Sequence, residues 1–126
     1  MGLFDGLIGN ATEVNLDKLQ DELKELLIPN ETIKNAYKVI RDTFIFTDKR
    51  LILIDKQGVT GKKTEYHSIP YKSILHFSVE TAGTFDLEAE LKIWVSGNTL
   101  PIQKNFNRST NIYKVQCVLA EYVLEQ

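Results

Sequence analysis

With a single cysteine, Cys117, the chain can form no internal disulfide, so nothing covalent staples the fold. That usage suits a reducing compartment. Histidine is almost as scarce. His67, His76 and Cys117 do not fall at a metal-ligand spacing, and no metal or cofactor is expected. Charge of one sign is also missing. Fifteen Lys and Arg stand against seventeen Asp and Glu, a formal net charge of -2, which leaves no concentrated basic face for nucleic acid. The same balance argues against purely electrostatic membrane docking. No apolar run approaches the length of a membrane span. The start, Met1-Gly2-Leu3-Phe4-Asp5-Gly6, lacks the basic and apolar regions of a signal peptide, and Gly6 breaks the myristoylation pattern. The expected location is therefore the cytoplasm.

Motifs of catalysis are equally absent. The stretch Gly58-Val59-Thr60-Gly61-Lys62-Lys63-Thr64 resembles a phosphate-binding loop but fails it. The required first glycine is Lys56, Lys63 stands where Ser or Thr is needed, and a strand rather than a helix follows. No Gly-x-Ser-x-Gly elbow occurs. Glu88 and Glu90 share one strand face by the two-residue period, which suits a solvated surface better than an acid/base pair. Cys117, beside Val118, is expected as a small packed or boundary thiol. These gaps point away from an enzyme.

What is present is enough for one core. A chain of 126 residues fits a single domain, expected over residues 15–126, after a partly ordered segment at 1–14. Leu16, Leu19, Leu23, Leu26 and Leu27 recur at helical spacing, with Asn15 as a candidate cap and Pro29-Asn30 as the stop. The period then changes to two. Thr43–Thr47 and Arg50–Asp55 around Asp48-Lys49 predict a hairpin in which Phe46 faces Leu51 and Phe44 faces Leu53. Ile45 faces Ile52, and Thr43 faces Ile54, on the other side. Strands are also predicted at Thr64–Ile69, Ile74–Thr81, Leu87–Val95 and Thr99–Phe106, with Gly97-Asn98 as a hairpin turn. A last helix follows, capped by Ser109 or Thr110, with Ile112, Val115, Val118, Leu119, Tyr122 and Val123 on one face. About seven strands and no β-α alternation make the class mainly β (α+β).

Thr47-Asp48-Lys49-Arg50-Leu51, Ser68-Ile69-Pro70-Tyr71 and Glu80-Thr81-Ala82-Gly83 occur in this order across the chain. The combination resembles the bacterial pleckstrin-homology (PH) domain family over nearly the whole length. The resemblance implies a PH-like barrel of two near-orthogonal antiparallel sheets, capped by the C-terminal helix, here with an extra N-terminal helix. It also implies a ring-shaped homo-oligomer, with a pentamer as the first expectation. The phosphoinositide loop of eukaryotic relatives has no counterpart, because the connection around Arg41-Asp42-Thr43 is short and carries no Lys/Arg cluster.

Two functions are therefore expected to compete. One is a self-assembling scaffold or adaptor that binds itself and other proteins. Its interface is expected to draw on Leu19 and Leu23 of the first helix and on an outward apolar patch of Ile45, Ile52 and Ile54. The other is a peripheral membrane or anionic-ligand binder using Lys56, Lys62 and Lys63 with the apolar N-terminus.

Overall fold

A computed structural model describes residues 15–38, 42–57, 63–81, 88–107 and 111–125. The expectations for residues 1–14, for Lys62 and the glycine loop, and for Ser109 and Thr110 lie outside them. The chain divides into two compact units, Met1–Ser68 and Ile69–Gln126.

The first unit begins with helix α1, Leu16–Glu22. It is shorter than the leucine pattern predicts. Asn15 occupies the cap position in a left-handed conformation (φ 32°) and makes no side-chain capping bond. Beyond Glu22 the chain tightens into turns, with Lys24 N–H donating to Asp21 O at 3.3 Å and Leu26 N–H to Leu23 O at 2.8 Å. One carbonyl that a longer helix would use internally, that of Leu26, instead accepts from Arg50 Nη2 at 2.7 Å. Leu19 is buried, while Leu16, Leu23, Leu26 and Leu27 are only half-buried.

Four strands follow: β1 (Ile33–Lys38), β2 (Asp42–Thr47), β3 (Arg50–Gln57) and β4 (Lys63–Pro70), ordered β1-β2-β3-β4. The β2–β3 hairpin turns at Asp48-Lys49 in the predicted register, with Phe46 opposite Leu51, Phe44 opposite Leu53, Ile45 opposite Ile52 and Thr43 opposite Ile54. The two faces do not differ in burial. All six residues of β2 are buried, and Ile45 and Ile52 are as inaccessible as Phe44 and Phe46. The expected outward patch of Ile45, Ile52 and Ile54 therefore does not exist on the surface. A central strand apolar on both sides is hidden on both sides, because leaving either set in water would cost the hydrophobic gain of that set.

The second unit opens with a 3-10 turn at Tyr71–Ser73, directly after Pro70 ends β4. Strands β5 (Ile74–Glu80), β6 (Glu88–Val95) and β7 (Ile102–Asn107) form an antiparallel sheet in that order. Ala89, Leu91 and Ile93 of β6 are buried, as their alternation predicts. The β6–β7 connection is longer than a two-residue turn. Gly97 takes φ 88° and Asn98 N–H returns to Val95 O at 3.1 Å, but pairing resumes only at Ile102 opposite Ile93. Pro101 has no N–H to give the ladder, so the strand starts after it.

Helix α2, Ile112–Leu124, closes the chain. Its cap is Asn111, whose side chain accepts from the backbone N–H of Tyr113 at 3.1 Å and of Lys114 at 3.3 Å. The helix packs on β5 and the 3-10 turn, where Tyr122 stacks on Tyr71 at 4.6 Å between ring centroids. Ile112, Val115 and Leu119 are buried beneath it. Truncating a fully buried leucine removes its transfer energy and leaves a cavity. Leu119→Ala is thus expected to destabilise the protein by about 2–5 kcal/mol, read as a lowered midpoint in urea unfolding followed by circular dichroism.

Candidate functional site

The most ordered polar cluster centres on Glu31, which the sequence reading passed over. Glu31 sits just before β1 with its side chain fully out of solvent. Its Oε2 accepts from Thr47 Oγ1 at 2.6 Å and from Arg50 Nε at 2.9 Å. Its Oε1 accepts from Arg50 Nη2 at 3.0 Å and from the Ile28 backbone N–H at 3.1 Å. Arg50 also reaches Ser68 Oγ with Nη1 at 2.8 Å. Thr47 Oγ1 in turn accepts from the N–H of Lys49 at 3.0 Å and of Arg50 at 2.9 Å, which fixes the hairpin turn. The hydroxyl has one proton, and the shorter contact, to the carboxylate, takes it.

Burial alone would raise the Glu31 pKa. The hydrogen bonds from Arg50, Thr47 and the Ile28 N–H, with the Arg50 charge, outweigh it and hold the carboxyl below its ordinary 4.5. A carboxylate so fully committed is a poor proton acceptor for chemistry. It is a structural anchor. A solvent-open cleft of about 560 Å³ lies beside it, lined in part by Gln20, Lys24, Ile28 and Asn30, and among the described residues no unspent buried side chain lines it.

Elsewhere the titratable groups are dispersed. Among the described residues no three of His, Cys, Asp and Glu are grouped to hold a metal ion. His67 is exposed on β4; His76 is exposed and stacked on Trp94, with ring centroids 4.4 Å apart. Cys117 is exposed, where the sequence predicts a packed or boundary thiol. Tyr37 is buried, its hydroxyl makes no hydrogen bond of normal geometry, and burial pushes its pKa up against the opposing pull of nearby Asn35. Glu90 and Lys92 form an ion pair at 3.5 Å on the outer face of β6. No helix among the described residues is long and apolar enough to cross a membrane.

The predicted site residues divide the same way. Lys56 and Lys63 are exposed near the facing ends of β3 and β4. Of the predicted interface set, Leu19, Ile45, Ile52 and Ile54 are buried within the chain and only Leu23 is partly accessible. The surface that sequence periodicity missed is β4. It is an edge strand, and Glu65, Tyr66, His67 and Ser68 are exposed in succession, so both of its faces meet solvent there.

The sequence matches the Bacterial PH domain family over residues 2–123. It is 57% identical over 121 residues to Uncharacterized protein YjqA of Bacillus subtilis, covering 95% of this chain and 97% of that one. It is 32% identical over 123 residues to Uncharacterized protein YozO of the same organism, covering 98% of each. Among solved structures, the pleckstrin homology domain from Shewanella amazonensis superposes with a TM-score of 0.83 at 58% identity, covering 97% of this chain and 98% of that one. A protein with a PH domain from Shewanella loihica gives 0.77 at 57% identity, covering 91% and 98%. The fold of seven antiparallel strands, four and three, with a closing helix, is PH-like. No catalytic family is indicated.

The Glu31 cluster makes two measurable demands. Arg50→Ala leaves a buried carboxylate without its cation and is expected to cost about 3–5 kcal/mol of stability in urea unfolding. Glu31 is lowered in the folded state, so the unfolded chain takes up its proton first as pH falls. Its contribution is complete above 4.5 and is lost as pH falls through the lower folded value. Acid unfolding of Glu31→Gln should therefore show a shallower fall in stability below that pH than the wild type.

Proposed function

The chain belongs to the bacterial PH domain family, and from that premise we propose that it is a non-enzymatic cytoplasmic scaffold that assembles with copies of itself. The observation that carries the reading is the β4 edge. Edge strands are normally blunted or covered, because their free N–H and C=O groups template further pairing. Here the exposed run Glu65–Ser68 is bare on both faces, and Tyr66 is 49% exposed. At the opposite edge of the same sheet lies β1. Pairing β4 of one copy with β1 of the next is a head-to-tail contact, and such contacts close into rings when the rotation permits. Backbone pairing would supply affinity, and side chains such as Tyr66 would supply specificity. In this reading the interface lies on an edge and not on the hairpin isoleucines, which the chain itself buries.

The competing reading is an anionic-surface binder, supported by the exposure of Lys56 and Lys63. Each lysine near an acidic bilayer is worth about 1 kcal/mol, and salt weakens it. Two measurements separate the readings. Light scattering at micromolar concentration is expected to give a homo-oligomer for the wild type and folded monomers for Tyr66→Asp, whose charge and poor strand propensity spoil the edge. A monomeric wild type overturns the assembly reading. Sedimentation with phosphatidylserine vesicles at low salt, lost in Lys56→Glu/Lys63→Glu, would put the membrane reading in its place.

A further inference from the structure

Helix α2 is apolar on two sides. One side carries the buried Ile112, Val115 and Leu119. The other carries Tyr113, Cys117, Ala120 and Leu124, whose spacing of four, three and four residues is that of a helix-pairing seam. This second stripe is open to solvent. Tyr113 is 61% and Leu124 72% exposed, Cys117 is exposed, and Ala120 is half-buried. Core packing accounts for the first stripe and leaves the second without a partner among the described residues.

We propose that this seam docks against the same helix of a second copy, antiparallel, about a two-fold axis. Size and charge both select that occupant. In the antiparallel register Tyr113 lies against Leu124 of the second copy, and Cys117 against its Ala120. Large residues then meet at both ends, and small ones let the backbones approach in the middle. The charges beside the seam are Lys114 and Glu121, both exposed. They occupy equivalent flanking positions one heptad apart, and antiparallel pairs bring such positions together across the interface. Lys114 of each copy then meets Glu121 of the other, twice by symmetry. In a parallel pair Glu121 would lie beside Gln116, and Lys114 would have no acidic neighbour. Within one helix the two charges are seven residues apart, too far to pair with each other.

The contact is separate from head-to-tail assembly through β4, because it joins identical patches. A single helix pair is small and sits at the weak end of specific interfaces. A covalent trap therefore reads it better than bulk mass does, and the lone cysteine supplies one. The experiment treats the full chain with a short bis-maleimide and follows the rate of covalent dimer on denaturing gels. It is run on the wild type and on Tyr66→Asp, so that failure of the β4 reading leaves this test intact. In both, Cys117 is expected to cross-link at least tenfold faster than a collision control, Cys117→Ser/Leu100→Cys, in which the thiol occupies a site that is 79% exposed in the native chain. Lys114→Glu alone and Glu121→Lys alone should each weaken dimerisation about tenfold, as opposite charges become like charges at two symmetric places. The double exchange Lys114→Glu/Glu121→Lys should restore the wild-type rate. Cross-linking no faster than the control overturns the proposal, and so does a double exchange as impaired as its parents.

Discussion

A buried carboxylate with no spare lone pair holds the first unit in register. Glu31 lies outside any strand, yet it receives hydrogen bonds from the chain just before it, from the last residue of β2 and from the first of β3. Arg50 extends the same cluster to the turns after α1 and to Ser68 of β4. Three stretches of the chain, residues 26–31, 47–50 and Ser68, thus share one charge pair. Its net worth over an apolar substitute is not the point, since burying ions costs roughly what their attraction returns. What matters is that no alternative register satisfies the carboxylate. A one-residue slip of β3 would carry Arg50 to the opposite face and leave Glu31 buried and unpaired.

That constraint explains why α1 stops early. The leucine spacing describes a longer helix, and periodicity alone has no term for a guanidinium that claims the Leu26 carbonyl. Gln20 adds to the same pull, donating to Glu31 O at 2.7 Å and accepting from Ile33 N–H at 2.8 Å. The end of the helix is therefore bonded to the start of the sheet instead of to its own next turn. Tertiary hydrogen bonds override local propensity here, whereas the second helix starts on a local cap, the Asn111 side chain bonding the backbone two and three residues on.

The elements that were legible in the sequence are those set by neighbours in the chain. The β2–β3 register follows from a two-residue turn and strict alternation, and β6 follows from Ala89, Leu91 and Ile93. Burial was less legible, for a physical reason. Alternation says which residues share a face, but it does not say how many faces are covered. Ile45 and Ile52 form an apolar set as good as Phe44 and Leu53, and the fold hides both sets. Strand β4 shows the converse. Its mixed Glu65-Tyr66-His67-Ser68 run has no apolar face, so sequence marks a strand without marking that it stands at an edge. The Glu31 cluster left a trace, since Thr47 and Arg50 both belong to the motif that carries the family resemblance. Nothing local links them to a glutamate sixteen residues before Thr47.

The distribution of polar groups finally says where function has room. The Glu31–Arg50 pair of the first unit is consumed by architecture, the two histidines stand apart, and the matched relatives bring no catalytic family. Among the described residues, the β4 edge and an apolar stripe along α2 stand open to solvent. These are different kinds of contact. An edge meeting a different edge is directional and propagates until it closes, whereas a helix meeting its own copy is reciprocal and ends at two. A chain carrying both would build a closed ring from the first and join two rings through the second. Each contact alone would be small, but subunits held in the proposed ring would present their α2 seams at high effective concentration. Weak helix pairing of monomers would then become firm pairing of rings, with the ring setting the strength of a contact it does not itself contain.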